Sequence, residues 1–348
     1  MGEGPERLLQ PCCTPRNDRT IVSPQPTPNR AGGSGTSVLV LDRFAAVYER
    51  HLRREFPALG IHTAVTAHDI EVPLDAIDVL VAFGVAINDE LIGSARNLKW
   101  IQSLATGVDH FLKSPGLRSD TLLTSARGIH GAPMRETVAL LILGVTRNVR
   151  RLVDHQRSRR WERGDPWPLL AGKTALVLGS GVSGGSIGKL LQAFGMTTIV
   201  ATRTPRPVAG FDRSIPLANV AAAVPEADFV IDVLPGGPEH AGVVGRTVFD
   251  AMKPSAVFIN VGRGETIDEP ALIDALRAGR IAGAGLDVVG RTPLAPESPL
   301  WDMPNVLLSP HIGAYFREYE DHVMPILTGN MRLFLAGRTA EMRNLVSH

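Results

Sequence analysis

The chain has 348 residues, of which 44% are hydrophobic, and a formal net charge of +1. This length allows two packed domains, and the near-neutral charge gives no electrostatic basis for binding nucleic acid or a membrane surface. The two cysteines, Cys12 and Cys13, are adjacent, so they form neither a disulfide framework nor a good metal site; no metal is expected. No apolar stretch is long enough to span a bilayer and no signal-peptide pattern opens the chain, which predicts a cytoplasmic location.

The N-terminal part of the chain changes character near residue 36. Residues 1–36 are rich in Pro, Gly, Ser and Thr and too poor in apolar side chains to offset the entropy of ordering, so we predict a disordered tail. A buried strand is expected at residues 37–41, and a helix over about 43–56. Apolar runs at 79–83 and 98–103 continue an alternation of strands and helices.

The rest of the chain repeats this alternation. A strongly apolar helix is predicted over about 135–148. The basic stretch 147–163 is interpreted as a solvated helix face leading into a linker, with an anion-binding surface as the alternative. A second series opens with a strand at 174–178, and the last predicted helix runs from about 318 to 336. Strands alternating with helical segments predict βαβ units, so the fold class is α/β with parallel sheets.

A glycine-rich loop follows the strand at 174–178 and precedes an apolar helix at 187–194. Glycines at the first, third and sixth positions allow a tight turn, a close approach of the backbone to a pyrophosphate, and close packing of helix on strand. A merely flexible loop is the alternative, but the flanking strand and helix favour a dinucleotide site. The predicted cofactor-binding residues of this loop are Gly179, Gly181, Val182, Ser183 and Gly184.

The end of the next strand, residues 197–201, indicates which dinucleotide binds. An acidic residue there would bind the ribose 2′-hydroxyl of NAD, whereas this chain has Thr202, Arg203 and Thr204, with Arg206 close by. Two hydroxyls and a guanidinium suit a 2′-phosphate. NADP is therefore the preferred cofactor and NAD remains possible, since Arg203 could instead stack on the adenine.

Two polar residues close apolar runs of strand length. Arg263 follows residues 256–262 and His311 follows residues 305–310. Ligands of open α/β sheets bind at the carboxyl ends of the strands, so a guanidinium that can hold a carboxylate and an imidazole that can move a proton both fall where a substrate would lie. Each alone could be a surface arginine or a capping histidine. Together, on paired strand ends, they favour a catalytic site.

These motifs together resemble the D-isomer-specific 2-hydroxyacid dehydrogenases, and most closely the branch of glyoxylate and hydroxypyruvate reductases. The resemblance runs from about residue 37 to the C-terminus. The segments that carry it, in addition to the glycine loop, are residues 100–110, 126–130, 233–235, 252–254, 260–264, 285–288 and 309–313.

The resemblance implies an architecture. A Rossmann NAD(P)-binding domain, residues 135–314, is expected to be inserted into a flavodoxin-like substrate domain formed by residues 37–134 and 315–348. Both would be doubly wound parallel-sheet domains. The family also implies a homodimer and a small 2-oxo or 2-hydroxy acid as substrate.

The resemblance also implies roles for single residues. Arg263 would hold the substrate carboxylate and polarise the 2-oxo group, and His311 would be the proton donor. Thr106 and Gly107 would offer backbone N–H groups to the carboxylate. Asp287 resembles the aspartate that fixes the nicotinamide carboxamide, while His130 is expected to be structural or to contact substrate. The remaining cofactor contacts implied are Leu234, Pro235 and Val261.

One position departs from the family pattern. The family places a Glu just before a Pro-Leu pair, where it hydrogen-bonds the catalytic histidine, but this chain has Thr292 there. Glu297 matches a different acid of the family, on a loop. A threonine can orient an imidazole but cannot offset the charge of an imidazolium. We therefore expect reduction to be weaker at neutral pH and to have a more acidic optimum.

Two functions remain open at this point. The first is NADPH-linked reduction of a small 2-oxo acid, with glyoxylate or hydroxypyruvate as the leading substrate, and Arg263 and His311 favour it. The second is a catalytically impaired dinucleotide-binding protein that acts as a sensor or binds a partner, and Thr292 favours it.

Overall fold

The structure is a computed structural model that describes residues 35–348, apart from the side chain of Val85. The tail predicted over residues 1–36, with Cys12 and Cys13, lies outside the described residues except for its last two positions. Among the described residues, no helix combines the length and the apolar character that crossing a membrane requires.

The described chain forms thirteen strands and ten α-helices. The strands are β1 (Ser37–Leu41), β2 (Gly60–Ala64), β3 (Val79–Ala82), β4 (Trp100–Ser103), β5 (Leu122–Thr124), β6 (Thr174–Leu178), β7 (Thr197–Thr202), β8 (Arg213–Pro216), β9 (Phe229–Asp232), β10 (Val257–Asn260), β11 (Gly283–Leu286), β12 (Val306–Leu308) and β13 (Leu345–Val346). The helices are α1 (Ala45–Glu55), α2 (Asp89–Ser94), α3 (Asp109–Leu112), α4 (Gly131–Thr146), α5 (Val149–Arg157), α6 (Val182–Ala193), α7 (Val220–Ala223), α8 (Arg246–Ala251), α9 (Glu269–Arg277) and α10 (Tyr319–Leu335).

The first sheet has the strand order β13-β5-β4-β3-β1-β2. Its first five strands in the chain are parallel, in the 2-1-3-4-5 arrangement of flavodoxin-like folds, and only β13 is antiparallel, to β5. Alternate residues of β1 face opposite layers: Val38 and Val40 pack with α1 and α10, whereas Leu39 and Leu41 pack with α2 and Phe111. The sheet is therefore buried on both faces.

The second sheet has the order β12-β11-β10-β9-β6-β7-β8, and every pairing in it is parallel. This is the doubly wound order of dinucleotide-binding folds, which reverses direction between β6 and β9. Helices α4 and α6 cover one face and α7, α8 and α9 the other. The predicted fold class, two doubly wound α/β sheets of the flavodoxin and Rossmann types, is confirmed.

The C-terminal residues return to the first sheet. Asn330, fully buried on α10, donates from Nδ2 to Gln102 Oε1 and to the Arg343 carbonyl, each at 3.1 Å, and accepts from the Arg343 N–H at 2.7 Å. Beyond it, β13 pairs with β5. The second sheet is thus built from a segment between two parts of the first, although the residue bounds predicted for the two domains stay a prediction.

Candidate active site

The glycine loop lies at the carboxyl end of β6, where the strand order of the second sheet reverses. Gly179 has a φ of 112°, and Gly181 precedes α6 with no side chain capping the helix. A Cβ at Gly184 would overlap the carbonyl oxygen of Gly179, whereas a Cβ at Gly181 would meet nothing within 4 Å. The first turn of α6, with Val182 and Ser183, therefore offers backbone N–H groups beside open space, which suits a pyrophosphate.

The end of β7 carries the residues predicted to select the dinucleotide. Thr202 is buried and its hydroxyl has no hydrogen-bond partner in the described structure, while Arg203, Thr204 and Arg206 are exposed. A buried hydroxyl without a partner is costly, and a ribose or phosphate oxygen at this strand end would provide one. With the open glycine loop, these residues fit a bound dinucleotide.

Arg263 is the residue at which the two sheets approach each other. Its guanidinium donates from Nη1 to the Gly262 carbonyl at 2.9 Å, and a Cβ at Gly107 would lie 2.6 Å from its Nη2. Gly107 follows β4 of the first sheet, and Arg263 follows β10 of the second. The structure therefore brings together two residues that were predicted separately to bind the substrate carboxylate, and the absence of a side chain at Gly107 leaves room for the guanidinium in this position.

His311 lies three residues beyond β12 and its side chain is exposed. The strand ends of Arg263 and His311 were expected to be paired, which is wrong, because β11 lies between β10 and β12. The His311 backbone has a φ of 54° and its N–H donates to the Asp287 carbonyl at 2.9 Å. Within the described chain, no side chain forms a hydrogen bond or ion pair with the His311 imidazole, and neither Thr292 nor Glu297 approaches it in this way.

Asp287 holds the segment that carries His311. Its Oδ1 accepts from the Ser309 hydroxyl at 2.6 Å and from the Ile312 N–H at 3.0 Å, and its Oδ2 accepts from the Gly313 N–H at 2.9 Å. The carboxylate is buried and its described hydrogen bonds all serve this loop. Its predicted contact with a nicotinamide carboxamide stays a prediction, whereas its contacts with the His311 loop are observed.

The remaining predicted cofactor contacts surround Asp232, the last residue of β9. Leu234 is buried and its N–H donates to Asp232 Oδ1 at 2.9 Å, and the buried Val261 donates its N–H to the Asp232 carbonyl at 3.0 Å. Pro235 is exposed. A Cβ at Gly179 would lie 3.2 Å from the Val233 carbonyl oxygen, so this loop borders the glycine loop.

The His130 ring lies between the loop after β4 and the start of α10. Its Nδ1 lies 2.6 Å from the Thr106 hydroxyl and its Nε2 lies 3.2 Å from the Tyr319 hydroxyl, which itself donates to the Leu104 carbonyl. Burial, and then the positive charge of Arg263, lower the pKa of His130 to about 4. The ring is thus neutral at physiological pH.

Comparison with known proteins identifies the family. A family model described as D-isomer specific 2-hydroxyacid dehydrogenase, NAD binding domain, matches residues 139–313, half of the chain. The chain is 31% identical over 258 residues to a glyoxylate/hydroxypyruvate reductase B from Klebsiella pneumoniae (strain 342), covering 70% of this chain and 80% of that protein. This chain belongs to the D-isomer specific 2-hydroxyacid dehydrogenase family.

Solved structures of 2-hydroxyacid dehydrogenases agree with the fold. A family protein from Aeromonas salmonicida subsp. salmonicida A449 is 34% identical, with a TM-score of 0.82, covering 90% of this chain and 99% of that one. An NADPH-dependent glyoxylate/hydroxypyruvate reductase from Sinorhizobium meliloti, solved with NADP and sulfate, is 29% identical with a TM-score of 0.78, covering 89% and 98%. The protein is therefore an NAD(P)-dependent oxidoreductase of 2-oxo and 2-hydroxy acids.

Sequence reasoning missed three polar residues around the site of this dehydrogenase: Tyr319, Asp232 and Thr266. Tyr319 contacts His130 from 189 positions further along the chain, and no local pattern indicates that contact. Asp232 did leave a signal, because an acid ends the apolar run Phe229–Ile231 just as Arg263 ends its own run. A search for every polar residue that closes a buried strand would have found it.

Proposed function

We propose that this dehydrogenase reduces a small 2-oxo acid, glyoxylate or hydroxypyruvate, with NADPH. The observation that carries the proposal is the approach of the Arg263 guanidinium to the Thr106–Gly107 backbone. The similar proteins from Klebsiella and Sinorhizobium, whose descriptions name glyoxylate/hydroxypyruvate reductases, support the choice of substrate.

Arg263 would bind the substrate and stabilise the charge of the reaction. Because Nη1 is held by the Gly262 carbonyl, the guanidinium is fixed with its Nη2 edge facing Gly107. A planar fork of N–H donors matches the two oxygens of a carboxylate. The same positive charge stabilises the negative charge that develops on the 2-oxo oxygen.

His311 would deliver the proton. Three donors bound to Asp287 fix the loop around it, so the backbone is rigid while the imidazole faces solvent and can be reprotonated. When bound, the cofactor supplies the hydride for C2 of the substrate. The imidazolium then gives its proton to the oxygen, and the product is a 2-hydroxy acid.

The preference for NADP rests on the end of β7. Arg203 and Arg206 are exposed beside the buried hydroxyl of Thr202, which leaves two guanidinium groups available to a 2′-phosphate. The similar Sinorhizobium protein is described as NADPH-dependent and was solved with NADP. NADH would bind without these contacts and would be the weaker cofactor.

Steady-state assays with NADPH or NADH and a panel of glyoxylate, hydroxypyruvate and pyruvate test the proposal. Arg263→Lys should lower kcat/KM by about 100-fold or more, since a single ammonium cannot replace the fork. Arg246→Lys is the matched control, because Arg246 is exposed and pairs with Asp274 at 2.8 Å on α9. Equal effects of the two substitutions would contradict the role given to Arg263.

A second function, a dinucleotide-binding protein without useful catalysis, is favoured by Thr292. No carboxylate is hydrogen-bonded to the His311 ring in the part of the chain that the structure describes. Tight binding of NADPH measured by calorimetry, together with no turnover of any acid in the panel, would establish this second function and reject the first.

We further propose the domain bounds and assembly given by the family resemblance. The substrate domain would comprise residues 37–134 and 315–348, and the NAD(P)-binding domain residues 135–314. A homodimer is supported by apolar side chains that α4, α5 and the loop after them leave in solvent. These are Leu140, Leu152, Val153, Trp161, Trp167 and Leu169. Analytical ultracentrifugation measures the assembly directly.

A further inference from the structure

The carboxyl group of Asp232 is buried close to the backbone of Arg263. Its exposed fraction is 0%, as is that of Thr266. Asp232 Oδ1 accepts from the Leu234 N–H at 2.9 Å, and Oδ2 contacts the Thr266 hydroxyl. The same Thr266 hydroxyl lies 2.5 Å from the backbone carbonyl oxygen of Arg263. Thr266 therefore stands between the buried acid and the backbone of the residue proposed to bind substrate.

The number of hydrogens shared by the Asp232 carboxyl, the Thr266 hydroxyl and the Arg263 carbonyl indicates whether Asp232 is protonated. A threonine hydroxyl has one hydrogen to donate. If Asp232 were ionised, its Oδ2 and the Arg263 carbonyl oxygen could both only accept a hydrogen bond. The single hydrogen of the Thr266 hydroxyl could then serve only one of these two oxygens. If Asp232 carries a proton on Oδ2, it donates to Thr266, and Thr266 donates to Arg263. Only the protonated acid satisfies both contacts.

The surroundings of Asp232 agree with a neutral acid. In the described structure, no cation forms an ion pair with it, and an unpaired charge in the interior is strongly disfavoured. Burial raises the pKa of Asp232 to about 7, against the opposing effect of its bonds to Thr266 and Leu234. None of the ionisable residues on the loops after β9, β10 and β11 that border it makes a hydrogen bond to its carboxyl group. These residues are Glu239, His240, Arg263, Glu265, Asp268, Asp287, Arg291, Glu297 and Asp302.

We propose that Asp232 is a positioning residue for Arg263, a carboxylic acid that donates its proton to Thr266 so that the Thr266 hydroxyl donates to the Arg263 carbonyl. The other donors to that carbonyl, Asn260 Nδ2 and the Thr266 N–H, are each at 3.3 Å. Ionisation of Asp232 turns the Thr266 hydroxyl back to the carboxylate. Arg263 then loses its shortest backbone hydrogen bond, and its guanidinium is held less firmly against Gly107.

Infrared difference spectroscopy tests the protonation state without reference to activity. The spectrum of the wild-type protein minus that of Asp232→Asn should contain the C=O band of a protonated carboxyl group at about pH 5.5. This band should give way to carboxylate bands as the pH rises to about 8.5. Carboxylate bands already present at the lower pH would overturn the proposal, whether or not the protein proves to be a reductase.

Kinetics tests the positioning role, and this part rests on the proposed function. Thr266→Val should raise the KM for the 2-oxo acid about five- to tenfold, with Thr266→Ser restoring it, while the Kd for NADPH is unchanged. In Asp232→Asn the side-chain amide can donate to Thr266 at any pH. Between about pH 6 and 8.5 the KM of this variant should therefore increase less with pH than the KM of the wild-type protein.

Asp228→Asn is the matched control, because Asp228 lies at the other end of β9, where it binds Lys253 and the Thr174 N–H. Its pH profile should follow that of the wild-type protein. If Asp232→Asn raises KM at about pH 6 as much as Thr266→Val does, the acid is needed as a carboxylate and the proposal is wrong. If no acid in the panel is reduced, the proposed function fails, and the infrared spectrum still decides the state of Asp232.

Discussion

The two ring nitrogens of His130 have different partners, and those partners fix its tautomer. The Tyr319 hydroxyl gives its hydrogen to the Leu104 carbonyl, so its oxygen accepts from His130 Nε2. The neutral ring then has a lone pair at Nδ1, which accepts from the Thr106 hydroxyl. Because the Thr106 hydroxyl donates its hydrogen to His130, it can only accept a hydrogen bond from a bound ligand. The role of its backbone N–H as a donor to a carboxylate stays a prediction.

Restoring the acid that the family places beside the catalytic histidine should raise the activity. By the family resemblance, Thr292→Glu would put a carboxylate near His311 and keep the imidazolium protonated to higher pH. We expect kcat/KM for the 2-oxo acid at about pH 8 to increase by about tenfold. Steady-state rates across the pH range measure this.

Glu297→Gln is the companion to that experiment. If a loop movement brought Glu297 to His311, this substitution would lower kcat/KM, and we expect no change. A Thr292→Glu variant no faster than the wild-type protein at alkaline pH would refute the idea that the missing carboxylate limits the reaction.

At the scale of the elements, Tyr319 joins the start of α10 to the first sheet. Tyr319→Phe would leave the buried His130 Nε2–H without an acceptor and the Leu104 carbonyl without a donor. The free energy of unfolding, measured by urea denaturation, should fall by about 1–3 kcal/mol. Tyr315→Phe is the control, because that side chain is 64% exposed and the loss of its hydroxyl should change stability by less than about 0.5 kcal/mol. Similar losses in the two variants would count against the buried network.

Alanine substitutions at two adjacent glycines of α6 should have different effects on NADPH binding and on stability. A Cβ at Gly184 overlaps the Gly179 carbonyl, whereas the nearest atom to a Cβ at Gly185 is the Ala209 carbonyl oxygen, at 3.9 Å. Gly184→Ala should displace the glycine loop and weaken NADPH binding by about tenfold or more. Gly185→Ala should leave binding unchanged and stabilise the helix by up to about 1 kcal/mol. Calorimetry with NADPH compares them, and equal affinities would contradict the tight packing of loop on helix.

How far the sequence predicts these elements depends on their burial. Strands buried on both faces, such as β1 and β6, have continuous apolar runs and were predicted at their observed bounds. Six strands were not predicted. Of these, β2, β8 and β13 lie at sheet edges and are short or carry polar residues, whereas β5, β9 and β11 lie inside the sheets as runs of only three or four residues. The predicted helix over 135–148 begins earlier, at Gly131, and ends at Thr146 before Asn148 adopts a φ of 45° and starts α5. Propensity alone does not set such a boundary.

Site residues could be predicted from the sequence where they directly follow a single buried strand. Arg263, His311 and the glycine loop each follow an apolar run, so local patterns indicate them. The contact of Arg263 with Gly107 depends instead on how the two sheets meet, and that of Thr266 with Asp232 joins residues 34 positions apart. Periodicity carries no information about such approaches.

At the scale of the whole molecule, two buried groups give stability opposite dependences on pH. His130, with its pKa lowered from 6.5 to about 4, contributes stability that is present above pH 6.5 and lost as the pH falls through 4. Asp232, with its pKa raised from 3.8 to about 7, contributes stability that is present below pH 3.8 and lost as the pH rises through 7. Between about pH 4 and 6.5 the two contributions oppose each other.

Replacing either residue should therefore leave the pH dependence of stability that the other one contributes. Relative to the wild-type protein, the free energy of unfolding of His130→Gln should fall with rising pH over about 4–6.5, and that of Asp232→Asn should rise, each by up to about 1.4 kcal/mol per pH unit. Urea denaturation at a series of pH values measures both slopes. Slopes of the same sign would show that one of the two groups is not in the assigned protonation state.

The return of α10 and β13 to the first sheet also sets an order on folding during synthesis. The second sheet is complete once β12 has been made, whereas the apolar face of β1, including Val38 and Val40, is covered by Val323 and Leu327 of α10. Only the part of that face that α1 covers can therefore close before α10 has been made. The rest of that face of β1 closes only after the second sheet is complete, and in the interval it is an apolar surface that a chaperone would hold.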